Sequence, residues 1–123
     1  MEFDELSKRV IGCAIEVHRA LGPGLLEATY EHCLAHELTL AGIPFRLQHP
    51  LPVQYKGTRL DCGYRVDMLI DDKLIVELKS VDAIKGIHEA QLMTYMRLAG
   101  VKTGLLINFN VRVLRTGIKR FVF

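Results

Sequence analysis

A short apolar strand that carries two opposite charges constrains the fold of this chain more than any other segment. Residues 75–79 have the sequence IVELK, and a charged turn at residues 71–73 comes directly before them. Because side chains alternate across a strand, Glu77 and Lys79 share one face and the apolar residues beside them share the other. A charged group on a core strand needs a partner, a metal or a substrate. We therefore expect this strand to line a functional site.

The segment before this strand is predicted to be its partner in a hairpin. Residues 59–70 are apolar at every second position, which predicts a strand with one apolar face. A three-residue loop at 71–73 pairs the residues that flank it and places Asp67 opposite Glu77. A two-residue loop would oppose polar to apolar faces, which register rules disfavour. Opposed carboxylates destabilise a sheet, and a divalent cation removes the conflict, because oxygen ligands suit Mg²⁺, Mn²⁺ or Ca²⁺.

The rest of the chain alternates between helical and extended patterns. The pattern predicts helices at about 4–21, 24–40 and 84–98, and strands at 45–56, 59–70, 75–79, 103–108 and 119–123. The third helix precedes a continuous apolar run, so we expect it to be the crossover into a buried parallel strand. The order α-α-β-β-β-α-β-β predicts an α/β (α+β) fold, in which a mixed sheet with an antiparallel meander is flanked by helices.

Length and composition are those of an ordinary globular domain. A chain of 123 residues is expected to form a single domain over residues 1–123. It has 16 basic and 14 acidic residues, and a net charge of +2 neither favours nor excludes nucleic acid. The chain has three cysteines, an odd number that fits free thiols better than disulfide bonds. The sequence shows no signal-peptide pattern and no apolar run long enough to cross a membrane. We expect a cytoplasmic protein with no membrane association.

Two polar residues interrupt apolar stripes of the predicted helices. Glu27 shares its stripe with Tyr30, and it either interacts with the positive end of the helix dipole or points toward the charged strand pair. Gln91 lies on the most regular stripe of the third helix, where a buried amide needs a hydrogen-bond partner. The alternative for Gln91 is a position at the rim, bonded to water. His88 and Tyr95 flank Gln91 by about one turn and are candidates for the same cleft.

Basic residues cluster late in the chain, at Arg112, Arg115, Lys119 and Arg120. A solvated face is the ordinary explanation for such a cluster, and a patch that contacts phosphates is the alternative. The sequence leaves both interpretations open.

Five motifs in a fixed order resemble those of the PD-(D/E)XK nuclease superfamily and, within it, the GxxExxY protein family. Those motifs are GLLEATY at 24–30, GYRVD at 63–67, ELK at 77–79, HEAQ at 88–91 with Tyr95, and GLLINF at 104–109. The resemblance covers nearly the whole chain. Val66 stands where the superfamily name has proline, a departure that is common in the superfamily.

The resemblance implies a restriction-endonuclease-like core with a metal-dependent site. Asp67 and Glu77 would bind Mg²⁺ or Mn²⁺, and Glu27 would add a ligand or orient a metal-bound water. Lys79 would position or deprotonate the attacking water and stabilise the developing phosphate charge, while Gln91 would hold the nucleophile or Lys79. Supporting roles would fall to Tyr30, Arg65, His88 and Tyr95.

These features favour a metal-dependent nuclease that acts on DNA, with RNA as the less favoured substrate. The alternative is a nuclease-fold binding or assembly module that acts through a partner protein with little or no catalysis. A third hypothesis treats Asp67, Glu77 and Lys79 as a structural ion-pair cluster, which would leave Glu27 and Gln91 unexplained. Because no target-recognition segment is evident beyond the core, a protein partner and a homodimer are both open.

Overall fold

The computed structural model describes residues 4–123, and the predicted order of elements is confirmed within them. The helices and strands are α1 Glu5–Leu21, α2 Glu27–Leu40, β1 Phe45–Tyr55, β2 Thr58–Ile70, β3 Leu74–Lys79, α3 Gly86–Ala99, β4 Thr103–Asn108 and β5 Ile118–Val122. A 3₁₀ turn, Leu114–Gly117, precedes β5 and was not predicted. The second helix begins at Glu27, about three residues later than its sequence pattern suggested, because Leu26 still has extended backbone.

The strands of the described residues form one five-stranded mixed sheet in the order β1-β2-β3-β4-β5. Neighbouring strands are antiparallel except β3 and β4, which are parallel and joined through α3. The predicted crossover and the predicted antiparallel meander are therefore confirmed. This arrangement of three helices and a mixed sheet within residues 4–123 is consistent with the restriction-endonuclease-like fold.

Apolar side chains bury both faces of the sheet. One core lies between the sheet and helices α1 and α2, and it includes Val76, Leu78 and Ile107. The other core lies between the sheet and α3, and it includes Ile75 and Leu106. Because side chains alternate along β3, Glu77 and Lys79 lie on the α3 side with Ile75. No helix in the described chain is long and apolar enough to span a membrane.

The hairpin between β2 and β3 has the predicted register. Ile70 pairs with Leu74 across the three-residue loop, and the last ladder pair is Met68 with Val76. Asp67 and Glu77 are the next residues on the two strands, so the strand register brings their backbones opposite one another.

The prediction of one apolar face along the whole of β2 is wrong for its first half. Leu60, Cys62 and Tyr64 are exposed, whereas Met68 and Ile70 are buried. The reason is that β1 and β2 continue beyond the end of their ladder with β3, as a two-stranded ribbon that the rest of the sheet does not cover. The pairing of this ribbon is irregular after Leu51, close to Gly63 with its φ of 78°.

Candidate active site

Two carboxylates occupy the point where β2 and β3 separate. The ladder between the strands ends before Asp67 and Glu77, and the Leu78 N–H donates to Asp67 Oδ2 at 2.8 Å. The Asp67 side chain thus takes over a main-chain donor that the neighbouring strand no longer pairs. The carboxyl groups of Asp67 and Glu77 are themselves within hydrogen-bonding distance.

Glu77 is buried in an environment that disfavours its charge. Its side chain lies on the α3 side of the sheet, and the residue is only 7% exposed. Burial, followed by the hydrogen bond to Asp67 and the negative charge of Asp67, raises the pKa of Glu77 to about 9. Lys79 and the Asp67 main-chain N–H oppose this rise without cancelling it. The raised pKa therefore favours the protonated form of Glu77 at neutral pH.

The carboxylate pair fits a divalent cation by its donor chemistry. Within residues 4–123, Oε1 of Glu77 is buried without a hydrogen-bond partner, so one carboxylate oxygen has lost water and gained nothing in exchange. The described residues contain no group of three or more His, Cys, Asp or Glu side chains that could hold a metal ion. Carbonyl, water and substrate oxygens would complete the shell of an ion held by two carboxylates, as is usual for Mg²⁺.

Helix α2 brings two further acids toward this edge of the sheet. Glu27 is the first residue of the helix and is exposed, next to a turn whose Leu25 carbonyl accepts from Ser80 Oγ at 2.6 Å. Since Ser80 directly follows Lys79, this bond fastens the start of α2 to the end of β3. The assignment of Glu27 to the site stays a prediction.

Glu31 lies one turn further along α2, and the sequence analysis missed it. Gln48 Nε2 donates to Glu31 Oε1 at 2.7 Å and reaches Asp67 Oδ1 at 3.4 Å. Burial, and to a smaller degree the charge of Asp67, raise the pKa of Glu31. The four-residue spacing from Glu27 was the available signal, because residues four apart share a helix face.

Gln48 links the two acids from a strained position in β1. Its φ of 49° is in the left-handed region, which non-glycine residues seldom adopt. Such strain persists where the surrounding structure requires it, and it clusters at functional sites. The sequence around Gln48 has the ordinary pattern of an extended strand, so it gave no signal that Gln48 belongs to the site.

Helix α3 brings Tyr95 close to the carboxylates, and Gln91 is bonded to Tyr95. Gln91 Nε2 donates to the Tyr95 hydroxyl at 3.0 Å. Burial, followed by the charge of Glu77, raises the pKa of Tyr95. Gln91 itself is exposed, so the expectation of a buried amide is wrong and the rim position is the observed one. The reason is that Leu92, Tyr95 and Met96 fill the core-facing side of α3.

The other predicted supporting residues have identifiable structural contacts. The Tyr30 hydroxyl donates to the Gly22 carbonyl and accepts from the Leu25 N–H, so it holds the turn before α2. His88 Nδ1 accepts from the Lys85 N–H at the start of α3. Arg65 is exposed and contacts the Gln48 carbonyl at 3.5 Å. Tyr30 thus stabilises the turn before α2, and His88 stabilises the start of α3.

The late basic residues divide into two groups. Lys119 pairs with Glu89 at 2.7 Å, and Arg120 pairs with Asp4 at 2.8 Å. Arg112 and Arg115 are exposed and line a hollow together with Arg19, while the loop that carries Arg112 follows β4. Because β3 and β4 are parallel, this loop leaves the sheet at the same edge as Lys79.

One of three comparisons with known proteins gave a match. A protein-family model described as the PD-(D/E)XK nuclease superfamily matches residues 4–121. The searches of curated proteins and of solved structures found no match.

Proposed function

The chain belongs to the PD-(D/E)XK nuclease superfamily, and on that premise we propose that it is a Mg²⁺- or Mn²⁺-dependent nuclease that hydrolyses phosphodiester bonds, in DNA rather than RNA. The observation that carries the proposal is the pair formed by Asp67 and Glu77. One of its members, Glu77, is buried, has its pKa raised in part by Asp67, and has an oxygen that lacks a partner among the described residues. The five ordered motifs also support membership of the GxxExxY family.

Asp67 and Glu77 are the residues that would hold the cation. A bound divalent ion polarises the phosphate and makes water a nucleophile near neutral pH. The carboxylates are held in advance for this role, because Asp67 is fixed by the Leu78 N–H and Glu77 by its burial between the sheet and α3. Because the raised pKa favours a proton on Glu77, that proton would have to leave when the ion binds.

Lys79 and Glu27 are proposed to act on the water and the phosphate. Lys79 lies on the same face of β3 as Glu77 and influences its pKa, so an ammonium group is near the pair. It would position or deprotonate the attacking water and stabilise the charge that develops on the phosphate. Of the two roles expected for Glu27, orientation of water fits its exposed position at the start of α2 better than metal ligation does.

Gln91 and Tyr95 are proposed to position the nucleophile from the α3 side. The Gln91 amide donates to the Tyr95 hydroxyl, and Tyr95 lies close enough to Glu77 for the ionised carboxylate to raise the pKa of Tyr95. Glu31 is proposed to act through Gln48 on the orientation of Asp67. Tyr30 and Arg65 would support the site through the segments that they brace.

The direct test is a cleavage assay on single-stranded and duplex DNA and on RNA, with EDTA, Mg²⁺ or Mn²⁺. We expect metal-dependent cleavage by the wild type and none by Glu77→Gln, which removes a ligand charge without changing side-chain size. Lys79→Ala should cut the rate by about 100-fold, as loss of one preorganised donor does, while the metal still raises the melting temperature. Equal loss of rate and of metal binding would make the lysine structural.

The negative outcome of this assay favours the second hypothesis. If no substrate is cleaved with either metal, the chain is better described as a nuclease-fold binding or assembly module. Cleavage by Glu77→Gln at the wild-type rate would show a contaminating nuclease and would remove the catalytic assignment.

A further inference from the structure

An open cleft lies between α3 and the β1–β2 ribbon, beside the carboxylate pair. Its volume is about 460 Å³, within the roughly 300–1,000 Å³ range of small-molecule sites. The side chains that line it are mostly apolar or aromatic, with a few polar groups, and they include Val53, Tyr64, Ile87, His88, Thr94 and Tyr95. Most of the residues that line this cleft have no role in the proposed catalysis.

The cleft is continuous with the proposed site rather than separate from it. Tyr95 lines the cleft, and it also lies close enough to Glu77 and Asp67 for their charges to raise its pKa. Gln91, which donates to the Tyr95 hydroxyl, lines the same cleft. A substrate whose scissile phosphate lies at Asp67 and Glu77 would therefore have a neighbouring nucleotide at the mouth of the cleft.

The aromatic residue Tyr64 gives the cleft a stacking surface. Its ring is tilted by 54° from that of Tyr95 at a centroid distance of 6.1 Å, so the two rings form adjoining walls. Tyr64 is 45% exposed, although its backbone pairs with Leu51 in the ribbon. An exposed aromatic face next to a site for phosphodiesters is the usual platform for an unpaired base.

Polar groups at the cleft can contact the edge of a planar ligand. The Lys85 N–H occupies His88 Nδ1, which leaves Nε2 as the protonated ring nitrogen of the neutral imidazole. Thr94 and Gln91 add a hydroxyl and an amide among the lining residues. Such donors and acceptors, few in number and set in an apolar surface, are typical of sites that hold a heteroaromatic ring.

We propose that this cleft binds one unpaired nucleobase of a single-stranded nucleic acid, stacked on Tyr64, beside the phosphodiester that the carboxylate pair addresses. A base within a duplex presents only its edges, so it cannot occupy a stacking cleft without leaving the helix. The inference rests on the proposed function, because it treats the cleft as part of the substrate site. It makes single-stranded nucleic acid the preferred substrate class.

Binding is tested without catalysis, in EDTA, by fluorescence anisotropy of labelled 12-nucleotide oligothymidylate and oligouridylate and of a duplex of equal length. We expect Tyr64→Ala to weaken single-strand binding by about tenfold, in the range of a lost base-aromatic stack, and Tyr64→Phe to retain it. Ile87→Glu should also weaken binding, because it places a negative charge on an exposed residue of the cleft. The matched control is Tyr55→Ala, since Tyr55 is 59% exposed at the far end of the same ribbon.

The outcomes separate this inference from the nuclease proposal. Wild-type affinity of both Tyr64→Ala and Ile87→Glu, with unchanged melting temperatures, overturns the cleft assignment, as does equal binding of duplex and single strand. If Tyr64→Ala leaves metal-dependent cleavage unchanged on every substrate, the cleft assignment is wrong and the nuclease proposal stands. If Tyr64→Ala loses single-strand binding and the wild type cleaves nothing, the cleft assignment stands and the nuclease proposal is wrong.

Discussion

At the scale of single residues, the site depends on a buried carboxyl group that the fold does not fully satisfy. Glu77 is removed from water next to Asp67, and this raises its pKa to about 9. Without a cation, this environment favours the protonated form of Glu77. A protein that needed Glu77 for structure alone would gain stability from an apolar or neutral residue there. This loss of stability is expected if the function of the carboxylate pair is to bind a cation.

The pH dependence of stability tests this account of Glu77. The pKa of its folded form, about 9, lies above the ordinary value of 4.5, so the folded state binds this proton more tightly. The contribution to stability is therefore fully present below about pH 4.5 and is lost as the pH rises toward 9. In EDTA we expect the wild type to lose about 4 kcal/mol relative to Glu77→Gln between pH 5 and pH 8, at about 1.36 kcal/mol per pH unit.

Urea unfolding at several pH values measures that difference. Glu16→Gln is the control, because Glu16 is exposed and should leave the wild-type pH dependence in place. Parallel curves for the wild type and Glu77→Gln would contradict the raised pKa.

Metal binding should be visible as a change in stability even without a substrate. A ligand that binds only the folded state stabilises it by about 2.7 kcal/mol at 100 times its Kd. We expect Mg²⁺ or Mn²⁺ to raise the melting temperature of the wild type and to have little effect on Asp67→Asn. The control is Asp61→Asn, which changes an exposed aspartate on the same strand and keeps an acceptor for the Gly63 N–H.

The same titration separates the two acids of α2. Glu31→Gln should lose part of the metal-induced shift, because Gln48 connects Glu31 to Asp67. Glu27→Gln should keep the shift and lose cleavage, if Glu27 orients the water. A flat response of the wild type to millimolar metal would instead favour the structural ion-pair cluster.

At the scale of the elements, the sequence was informative wherever chemistry depended on local spacing. The three-residue loop and the alternation of β3 were enough to bring Asp67 opposite Glu77. Glu31 and Gln48 could not be found in this way, because their contact joins residues far apart in the sequence and depends on a left-handed backbone at Gln48. The exposure of Gln91 was missed for a similar reason, since periodicity defines a helix stripe but not which part of it the sheet covers.

The segment that follows Lys79 is held by a buried amide on the neighbouring strand. Asn108 accepts from the Val81 N–H at 3.1 Å and donates to the Val81 carbonyl at 2.9 Å, and it is 2% exposed. Asn108→Ala should destabilise the chain by about 1–3 kcal/mol, because the N–H groups of Val81 and Asn110 lose their acceptor. It should also lower the cleavage rate, since the end of β3 is released.

Chemical denaturation and single-turnover cleavage measure these two effects of Asn108→Ala. Asn110→Ala is the matched control, because its contact with the same carbonyl is longer, at 3.4 Å, and the residue is less buried. If Asn110→Ala costs as much as Asn108→Ala, the buried amide is not what holds this segment.

At the scale of the whole molecule, the distribution of charge matters more than its sum. A net charge of +2 gives little long-range attraction for nucleic acid. However, Lys119 and Arg120 pair with acids, and Arg19 pairs with Glu16 at 3.7 Å. Arg112 and Arg115 line a hollow together with Arg19, near the edge where β3 and β4 end. This position suits a backbone that passes from the carboxylate pair across the ends of those strands.

The salt dependence of binding tests whether this basic group contacts phosphates. Each phosphate contact contributes about 0.7 to the slope of log K against log salt for a single strand. We expect Arg112→Ala and Arg115→Ala each to weaken oligonucleotide binding in EDTA and to lower that slope by roughly this amount. Lys73→Ala removes an equal charge from the exposed β2–β3 loop, at the opposite edge of the sheet, and should leave the slope unchanged. If the lysine variant and the arginine variants lower the slope equally, the attraction of the nucleic acid comes from the overall charge. The hollow lined by Arg112 and Arg115 is then a solvated face.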